Sequence, residues 1–314
     1  MQCTAPVVPR GISNPEKFIS FDDLGDDSDE GEAAYSPGGT MVVFDSNFDG
    51  QPGIDGDLDI WLLLADGTRC NLIDDNADPH LDRFGAWAPD GMKIAFFSDR
   101  DDPNPVNPEL GLYILDLTNL TVTTVLHPDD FEDDIVRIRA CAPSWSPTDE
   151  VIAFEALPVG ACGNVFQCPD VFTVSTDGLT LNRLTNDTMK SDGYPTYSPD
   201  GTMIAFDSNR TGTFGVYVMD ADGDNQHAVL TPTNDGFPDW LPNPLDPSNP
   251  HLLFMSTRVV ANTNVWMVDL DGNNLTQLTT SLSSDRYPAG SPDGQFVVFE
   301  SSEDGDWDIY RIEL

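Results

Sequence analysis

The stretch Tyr197-Ser198-Pro199-Asp200-Gly201, followed by the apolar run Met203-Ile204-Ala205-Phe206, is the plainest of six copies of one pattern in this chain of 314 residues. The other copies start at Tyr35, Trp87, Trp145, Trp240 and Gly290. The apolar runs contain Phe44, Phe96, Phe154, Phe206, Phe254 and Phe299. The spacing of these phenylalanines ranges from 45 residues (Phe254 to Phe299) to 58 residues (Phe96 to Phe154). A repeat period in this range is typical of propellers and solenoids.

Each repeat has the pattern of four short strands. The Pro-Asp-Gly turn suits a chain reversal, because proline presets φ and glycine tolerates positive φ. The β-branched and aromatic run after it fits a strand buried on both faces. A third strand with an aromatic residue at a fixed place follows, and a hairpin turn such as Asp220-Ala221-Asp222-Gly223 leads to a fourth strand. Since no window has helical periodicity, we predict an all-β fold with blades that start near residues 33, 85, 143, 195, 238 and 288.

The two ends of the chain predict how the repeats close. The sixth repeat ends at Leu314 after its third strand, whereas a strand-like segment, Lys17-Phe18-Ile19-Ser20-Phe21, precedes the first repeat. We therefore predict a single domain over residues 1–314, a six-bladed β-propeller of four-stranded blades. In this prediction residues 1–16 are an N-terminal extension and residues 17–23 form a strand that completes the last blade. Closure leaves only short, protected strand edges.

The repeat resembles that of the TolB-like β-propellers. The shared pattern runs from Ser-Pro-Asp-Gly through Ile-Ala-Phe-x-Ser-Asp/Asn-Arg to Asp-Ile-Tyr-x-Met-Asp-x-Asp-Gly, and it covers the chain from about Lys17 to Leu314. Departures from it include Ser146-Pro147-Thr148-Asp149, Leu241-Pro242-Asn243-Pro244 and Gly290 at the expected places. The resemblance implies the fold. It does not imply one function, because such propellers serve as docking platforms, enzyme gates and polysaccharide lyases.

The charge of the chain restricts its partners. It has 54 acidic and 14 basic residues, for a formal net charge of −40. This balance argues against nucleic acid, whose binding needs Lys and Arg on phosphates, and against anionic membrane surfaces. It favours cations, basic partners or a saline habitat in which self-repulsion is screened. Halophilic adaptation and specific calcium binding are two compatible explanations.

The cysteines favour an exported protein, and the hydropathy argues against a membrane-spanning segment. No run of 18 apolar residues could span a membrane, and we expect a monomer. We predict a disulfide among Cys141, Cys162 and Cys168, most simply between Cys162 and Cys168. Cys3 could reach Cys70 or carry a lipoprotein anchor. Five cysteines in this arrangement favour an oxidising compartment. We therefore expect a periplasmic or extracellular location.

In four repeats an acid stands two residues before the aromatic that leads into the first strand: Asp82, Asp192, Asp235 and Asp285. Glu30 holds the matching place in the first repeat, and Ala140 breaks the set in the third. Six-fold repetition would gather these carboxylates at the channel mouth, where oxygen ligands suit calcium. The alternative is that each acid caps its own loop. A secondary cation site is predicted at Asp55, Asp57 and Asp59, in the long loop of the first repeat.

Aromatic and basic residues accompany the acids on the same face. The candidate ligand-binding residues are Phe84, Arg137, Arg139, Tyr194, Phe237, Arg286 and Tyr287. The aromatics could supply binding contacts or pack as wedges between blades. Arg100, Arg210 and Arg258 follow second strands and are expected to form local ion pairs.

These residues predict a non-enzymatic, exported binding propeller that docks a protein or carbohydrate ligand at an acidic channel face holding calcium. The alternative is a carbohydrate-active enzyme, a polysaccharide lyase or glycoside hydrolase, with its site in the channel. His80, His127 and the acids would be its machinery. Because the four histidines are scattered along the chain, we assign no catalytic residue.

Overall fold

The computed structural model describes the chain in twelve segments: 2–4, 16–19, 29–48, 55–73, 80–102, 109–127, 135–138, 143–159, 168–187, 189–259, 262–303 and 305–314. All regular elements in these segments are strands, and they form six antiparallel sheets. The all-β, six-bladed β-propeller predicted from the repeats is confirmed. In the described residues no helix is long and apolar enough to span a membrane.

The strands of the first three blades follow the predicted repeat. Blade 1 consists of β1 (Gln2–Thr4), β3 (Glu30–Tyr35), β4 (Val42–Phe48), β5 (Asp55–Leu63) and β6 (Arg69–Asn71). Blade 2 consists of β7 (Asp82–Trp87), β8 (Lys93–Ser98), β9 (Gly111–Asp116) and β10 (Thr121–Leu126). Blade 3 consists of β11 (Ile135–Ile138), β12 (Ser144–Trp145), β13 (Val151–Pro158), β14 (Asp170–Ser175) and β15 (Leu181–Arg183).

The other three blades have four strands each. Blade 4 consists of β16 (Asp192–Tyr197), β17 (Met203–Ser208), β18 (Gly215–Asp220) and β19 (His227–Ala228). Blade 5 consists of β20 (Asp235–Leu241), β21 (His251–Ser256), β22 (Asn264–Asp269) and β23 (Thr276–Gln277). Blade 6 consists of β24 (Asp285–Gly290), β25 (Phe296–Ser301), β26 (Asp308–Glu313) and β2 (Glu16–Ile19).

The predicted closing strand is present. β2 pairs antiparallel with β26, the last strand of the chain, with Lys17 opposite Tyr310 and Ile19 opposite Ile309. Ile19 is buried in a cluster with Val298 and Ile309 of blade 6 and Phe44 of blade 1. The N-terminal segment therefore supplies the fourth strand of blade 6, as the repeat predicts.

Two details differ from the regular repeat. The first strand of blade 3 is split into β11 and β12, which both pair with β13. A short strand within the predicted N-terminal extension, β1, adds a fifth strand to blade 1 by pairing with β6. In that register the Cα atom of Cys3 lies opposite that of Cys70.

The repeated phenylalanines form the core of the blades. Five of the six are fully buried and Phe299 is 2% exposed. In five blades the ring packs on the aromatic residue of the third strand, with centroids 5.8–6.5 Å apart, as in Phe96–Tyr113 and Phe44–Trp61. These residues carry the fold rather than a binding site.

The chain divides into two compact units. One contains Met1–Gly85 and Leu241–Leu314, and the other contains Ala86–Trp240. In the first unit, Val297, Phe299 and Tyr310 pack with Leu253 and Val265. In the second unit, Phe206, Tyr217 and Met219 pack with Ala153 and Val171. The single domain stays a prediction.

Candidate functional site

The five acids predicted at one register do share one structural position. Each is the first residue of the first strand of its blade. All five side chains belong to residues that are at most 1% exposed. In blades 1, 4 and 6 the acid lies opposite the serine that ends the second strand, in the pairs Glu30–Ser46, Asp192–Ser208 and Asp285–Ser301.

Four of these carboxylates accept hydrogen bonds from side chains of their own blade or of the loop that leads into it. Ser46 Oγ donates to Glu30 Oε1 at 3.1 Å, and Ser301 Oγ donates to Asp285 Oδ1 at 2.6 Å. Thr233 Oγ1 donates to Asp235 Oδ1 at 3.1 Å. Arg210 Nη2 donates to Asp192 Oδ1 at 3.0 Å. In the part of the chain that the structure describes, no three His, Cys, Asp or Glu side chains are grouped so as to hold a metal ion.

The secondary acids lie in a strand. Asp55, Asp57 and Asp59 belong to β5 and not to a loop, so this part of the prediction was wrong. Aspartates occupy alternate positions in the first part of β5, and the strand is apolar from Ile60 onward. Asp59 is buried and accepts a hydrogen bond from Asn71 Nδ2 at 2.6 Å. The side chains of Asp55 and Asp57 lie outside the described part of the structure.

The first strands share an unusual backbone conformation. The third residue of the strand has positive φ in five blades: Glu32 (51°), Phe84 (62°), Tyr194 (49°), Phe237 (54°) and Tyr287 (49°). In blades 1, 4 and 6 the strand register shifts at this residue, as in a β-bulge. A bulky residue with positive φ costs about 1–3 kcal/mol, and such strain persists only where its surroundings enforce it.

A buried carboxylate of the preceding blade holds this conformation. Asp45 Oδ1 accepts the backbone N–H of Phe84 at 3.0 Å. Asp207 Oδ2 accepts that of Phe237 at 3.3 Å. Glu300 Oε1 accepts that of Glu32 at 2.7 Å. Each acid directly follows the repeated phenylalanine of a second strand and is at most 5% exposed. We call these acids, together with Glu155 at the same position of blade 3, the second-strand acids.

Glycine accommodates the second-strand acids where the blades meet. A Cβ atom on Gly31 would lie 2.9 Å from Glu300 Oε1, and one on Gly236 would lie 2.8 Å from Asp207 Oδ2. At Gly193 the distance to Glu155 Oε2 would be only 2.1 Å. Each of these glycines directly precedes a residue with positive φ. A side chain at the glycine would displace the carboxyl group.

Burial raises the pKa values of three second-strand acids, Asp45, Asp207 and Glu300. It is the largest cause that raises the pKa of Asp207, and the nearby Glu155 and Asp192 carboxyl groups add to the effect. Burial likewise raises the pKa of Asp45 well above its usual range, although Arg83 opposes the increase. The pKa of Glu300 is also raised by burial, while Arg286 lowers it. The neutral form of these groups is thereby favoured.

The sequence analysis missed the second-strand acids. The signal was present, because an acid follows the repeated phenylalanine in four of the six copies, inside an otherwise apolar strand: Asp45, Glu155, Asp207 and Glu300. The other two copies have Phe97 and Met255 at this place. The contact partner of each acid is in another repeat, so reading the repeats one by one did not reveal it.

The predicted aromatic residues are partly buried. Phe84 is buried, whereas Tyr194, Phe237 and Tyr287 are half-buried. The rings of Tyr194 and Phe237 are in edge contact, with centroids 4.0 Å apart. The half-buried rings keep an accessible surface, and both predicted roles, binding contact and packing between blades, stay predictions.

The arginines that follow second strands stack on the blade core. The guanidinium carbons of Arg100, Arg210 and Arg258 each lie 4.9–5.3 Å from the centroids of two aromatic rings of their own blade. Each Nε donates to the serine that ends the second strand. Arg210 also forms ion pairs with Asp187 and Asp192. The predicted local pairing is thus present at Arg210, together with stacking that was not predicted.

The remaining predicted site residues have different surroundings. Arg137 is half-buried in β11, while Arg139 lies outside the described residues. Arg286 Nε donates to Glu300 Oε2 at 2.6 Å. Cys70 and Cys168 are each disulfide-bonded. Because Cys162 and the side chain of Cys3 are outside the described part, both cysteine pairings stay predictions.

Two known proteins each match about half of this chain in sequence. An uncharacterized protein of Agrobacterium fabrum is 29% identical over 165 residues, which cover 49% of this chain and 52% of that protein. A protein TolB homolog of Chlorobium luteolum is 32% identical over 145 residues, which cover 46% of this chain and 31% of that protein. The matches thus span about half the length of one relative and a third of the other. No family model matches the chain.

Solved structures share the fold. TolB from Acinetobacter baumannii superposes with a TM-score of 0.61 at 21% identity, over 87% of this chain and 63% of that chain. An oligogalacturonate lyase in complex with manganese gives a TM-score of 0.57 at 14% identity, over 92% of this chain and 91% of that chain. The chain is thus similar in sequence to a TolB homologue over 145 residues, and it shares the propeller fold of TolB.

Proposed function

We propose that the chain is an exported, non-enzymatic binding propeller that docks a protein partner on the face where the first strands of the blades begin. The repeated positive φ of bulky residues at one register is the observation that carries the proposal. Strain of this kind is characteristic of binding and active sites, where it orients side chains. Half-buried Tyr194, Phe237 and Tyr287 are the aromatic contacts that this orientation offers.

Export is part of the proposal. The disulfide bonds of Cys70 and Cys168 support it, because such bonds persist in oxidising compartments. The net charge of −40 favours a partner with a basic surface. A basic partner would also be drawn to the protein over distances up to the Debye length, about 8 Å at physiological ionic strength.

Two exposed leucines of the same unit provide a test of the docking face. Leu282 is 89% exposed in the loop that leads into β24, and Leu245 is 95% exposed in the loop between β20 and β21. Neither substitution to serine removes buried packing. The immobilised protein should capture a partner from an envelope extract of the producing cells, and the captured protein should then be purified for titration.

In that titration we expect Leu282→Ser to weaken binding about tenfold, or by about 1.4 kcal/mol. Leu245→Ser is the control, because Leu245 lies in a loop that follows a first strand and not in one that leads into it. This variant should bind like the wild type. Equal losses in both variants, or no loss in Leu282→Ser, would contradict the assignment of the face.

Calcium at Glu30, Asp82, Asp192, Asp235 and Asp285 stays a proposal. What supports it is the common register of the five acids at the start of the first strands, because carboxylate oxygens suit calcium. Chelation at fixed ionic strength should lower the melting temperature, and added calcium should restore it. An unchanged melting temperature would rule out calcium as a stabilising ligand.

A carbohydrate-active enzyme is the second candidate. Its support is that an oligogalacturonate lyase shares the fold, which at 14% identity concerns the fold alone. Incubation with uronate-rich and neutral polysaccharides tests it. Turnover that His80→Ala abolishes would replace the binding function with an enzymatic one.

A further inference from the structure

Two arginines and one glutamate depart from the repeat in the first strands of blades 6, 1 and 2. Arg83 in β7 and Arg286 in β24 occupy the position that is glycine in β3, β16 and β20. Glu32 in β3 occupies the next position, where the other described blades with this bulge have Phe84, Tyr194, Phe237 and Tyr287. All three residues belong to the unit formed by Met1–Gly85 and Leu241–Leu314. The departures from the repeat therefore concentrate in one part of the chain.

The two guanidinium groups are held against aromatic rings and keep unused hydrogen-bond donors. The Arg286 guanidinium carbon lies 3.6 Å from the centroid of Trp307 and 5.0 Å from that of Tyr287. Its only hydrogen bond in the described segments is the one from Nε to Glu300. The Arg83 guanidinium carbon lies 4.5 Å from the centroid of Phe84. Its Nε is buried without a hydrogen-bond partner, and among the described residues Arg83 forms no ion pair.

An arginine without an ion pair is unexpected in a chain with 54 acidic residues. A buried guanidinium nitrogen that lacks an acceptor costs about 1–3 kcal/mol or more. The cost would be recovered by a ligand that supplies the acceptor. Guanidinium stacked on a ring presents its N–H edge outward, which is the geometry that binds carboxylates in a fork.

Glu32 lies within the electrostatic reach of both arginines. Burial, Asp45 and Glu300 raise the pKa of the Glu32 carboxyl group, while Arg83 and Arg286 lower it, and the net pKa is well above the usual value. A carboxyl group that retains its proton can donate one hydrogen bond. Arg286 pairs with Glu300 through Nε, and its terminal nitrogens form no hydrogen bond with the described residues.

We infer that Arg83, Arg286 and Glu32 form a binding site for a carboxylate group. The arginines supply the positive charge and paired N–H donors, and Glu32 supplies an O–H donor between them. Phe84, Tyr287 and Trp307 fix the guanidinium planes. The inference rests on the proposed function, since it names the chemistry of the ligand bound on that face.

A carboxylate can come from a small molecule or from the end of a peptide, and calorimetric titrations distinguish the two. The full chain is titrated with succinate, with the peptide Gly-Gly-Ala, and with the same peptide amidated at its C-terminus, all at fixed ionic strength. Saturable binding of succinate or of the free peptide, with the amidated peptide weaker by about tenfold or more, is expected. Binding of neither carboxylate, or equal binding of the amidated peptide, would overturn the inference.

Substitutions by the residue of the other blades test the two arginines. Arg83→Gly and Arg286→Gly should each weaken carboxylate binding by about tenfold or more. Lys190→Gln removes one positive charge from a loop of the other unit and should bind like the wild type. If Arg83→Gly binds as well as the wild type, or if Lys190→Gln loses as much, the site is not the one inferred.

Glu32→Gln tests the O–H donor. Glutamine donates a hydrogen bond at every pH, whereas Glu32 stops donating when it ionises. Wild-type affinity should therefore fall as the pH rises through the raised pKa of Glu32, and Glu32→Gln should remove this fall. The same fall in both proteins would remove Glu32 from the site.

Partner capture separates this inference from the proposed function. If the captured partner binds Arg83→Gly and the wild type equally, and no carboxylate binds, the inference fails and the docking function stands. If carboxylates bind as expected but no partner is captured, the site stands and protein docking fails.

Discussion

Gly193→Ala is the sharpest test of how the blades are held together. The added Cβ atom would lie 2.1 Å from Glu155 Oε2 and 2.9 Å from Glu155 Cδ. Ordinary contacts with a Cβ atom begin at 3.4 Å, so the carboxyl group would have to retreat by about 1.3 Å. Glu155 is 3% exposed, and Asp207 Oδ1 lies 3.5 Å from the same Cβ position. The carboxyl group therefore has little room to move without disturbing a second acid.

Two costs add up in this variant. Overpacking a well-filled interior costs about 1–3 kcal/mol. Displacing a buried carboxyl group from its polar surroundings costs about 1–3 kcal/mol more. The free energy of unfolding should thus fall by about 2–6 kcal/mol. At about 2 °C per kcal/mol for a chain of this size, the melting temperature should fall by about 4–12 °C.

Calorimetry and denaturant titration of matched variants measure the effect. Gly38→Ala is the control, because its Cβ atom would meet only Thr40 Oγ1, at 3.9 Å, and it should change the melting temperature by about 1 °C or less. The double variant Gly193→Ala/Glu155→Ala should be about as stable as Glu155→Ala alone, since the clash is gone. If Gly193→Ala matches Gly38→Ala, or if the two substitutions are additive, the close contact does not exist and the reasoning is refuted.

Three further predictions follow from the buried acids and the stacked rings. Burial raises the pKa of Asp170 to about 6 and raises those of Glu32, Asp45, Asp207 and Glu300. In their neutral forms these groups contribute fully to the free energy of unfolding below the pKa values of the unfolded chain. This contribution is lost as the pH rises through the pKa values of the folded protein. The melting temperature at fixed ionic strength should therefore fall from about pH 4 to pH 6, less so in Asp170→Asn; a rise over this interval would contradict the reasoning. Arg210→Lys should lower the free energy of unfolding by about 1–3 kcal/mol in denaturant titration, because lysine cannot stack on Phe206 and Tyr217 while it pairs with Asp192. Phe206→Ala should cost about 3–5 kcal/mol in the same assay, since Phe206 is fully buried; a loss below about 1 kcal/mol would mean that the blade core repacks.

The repeat could be predicted from the sequence because its signals are local. Proline and glycine in the turns, and Phe206 with its counterparts in the second strands, each act within one blade. The register of Asp192 and the other first-strand acids was also correctly predicted, since counting from the aromatic residue suffices. The first part of β5, with Asp55, Asp57 and Asp59, was missed because aspartates rarely favour strands, whereas pairing with β4 overrides that preference.

The contacts between blades could not be predicted in the same way. Asp45 and Phe84 are 39 residues apart, and Glu32 and Glu300 are 268 residues apart. A carboxylate in an apolar strand indicates a polar partner, but which backbone N–H it binds depends on a bulge in another repeat. The partner becomes evident only once the blades are placed side by side.

The residue before the bulge is glycine in some blades and arginine in others, and the facing second strand explains most of this difference. An acid at the preceding second strand requires glycine at the facing position, as Glu300 does at Gly31 and Glu155 does at Gly193. Where the preceding blade has Met255 instead of an acid, no carboxyl group needs the space, and the position is Arg286. Arg83 is the exception, because it faces a blade that does have an acid, Asp45.

Arg83 is destabilising at this position, because its Nε is buried and has no hydrogen-bond partner among the described residues. Sequences tend to break a local rule of their own fold where function requires it. Replacing Arg83 by the glycine that the rule demands should therefore raise the free energy of unfolding by about 1 kcal/mol in denaturant titration while it weakens carboxylate binding. A variant that loses both stability and binding would indicate that Arg83 belongs to the scaffold.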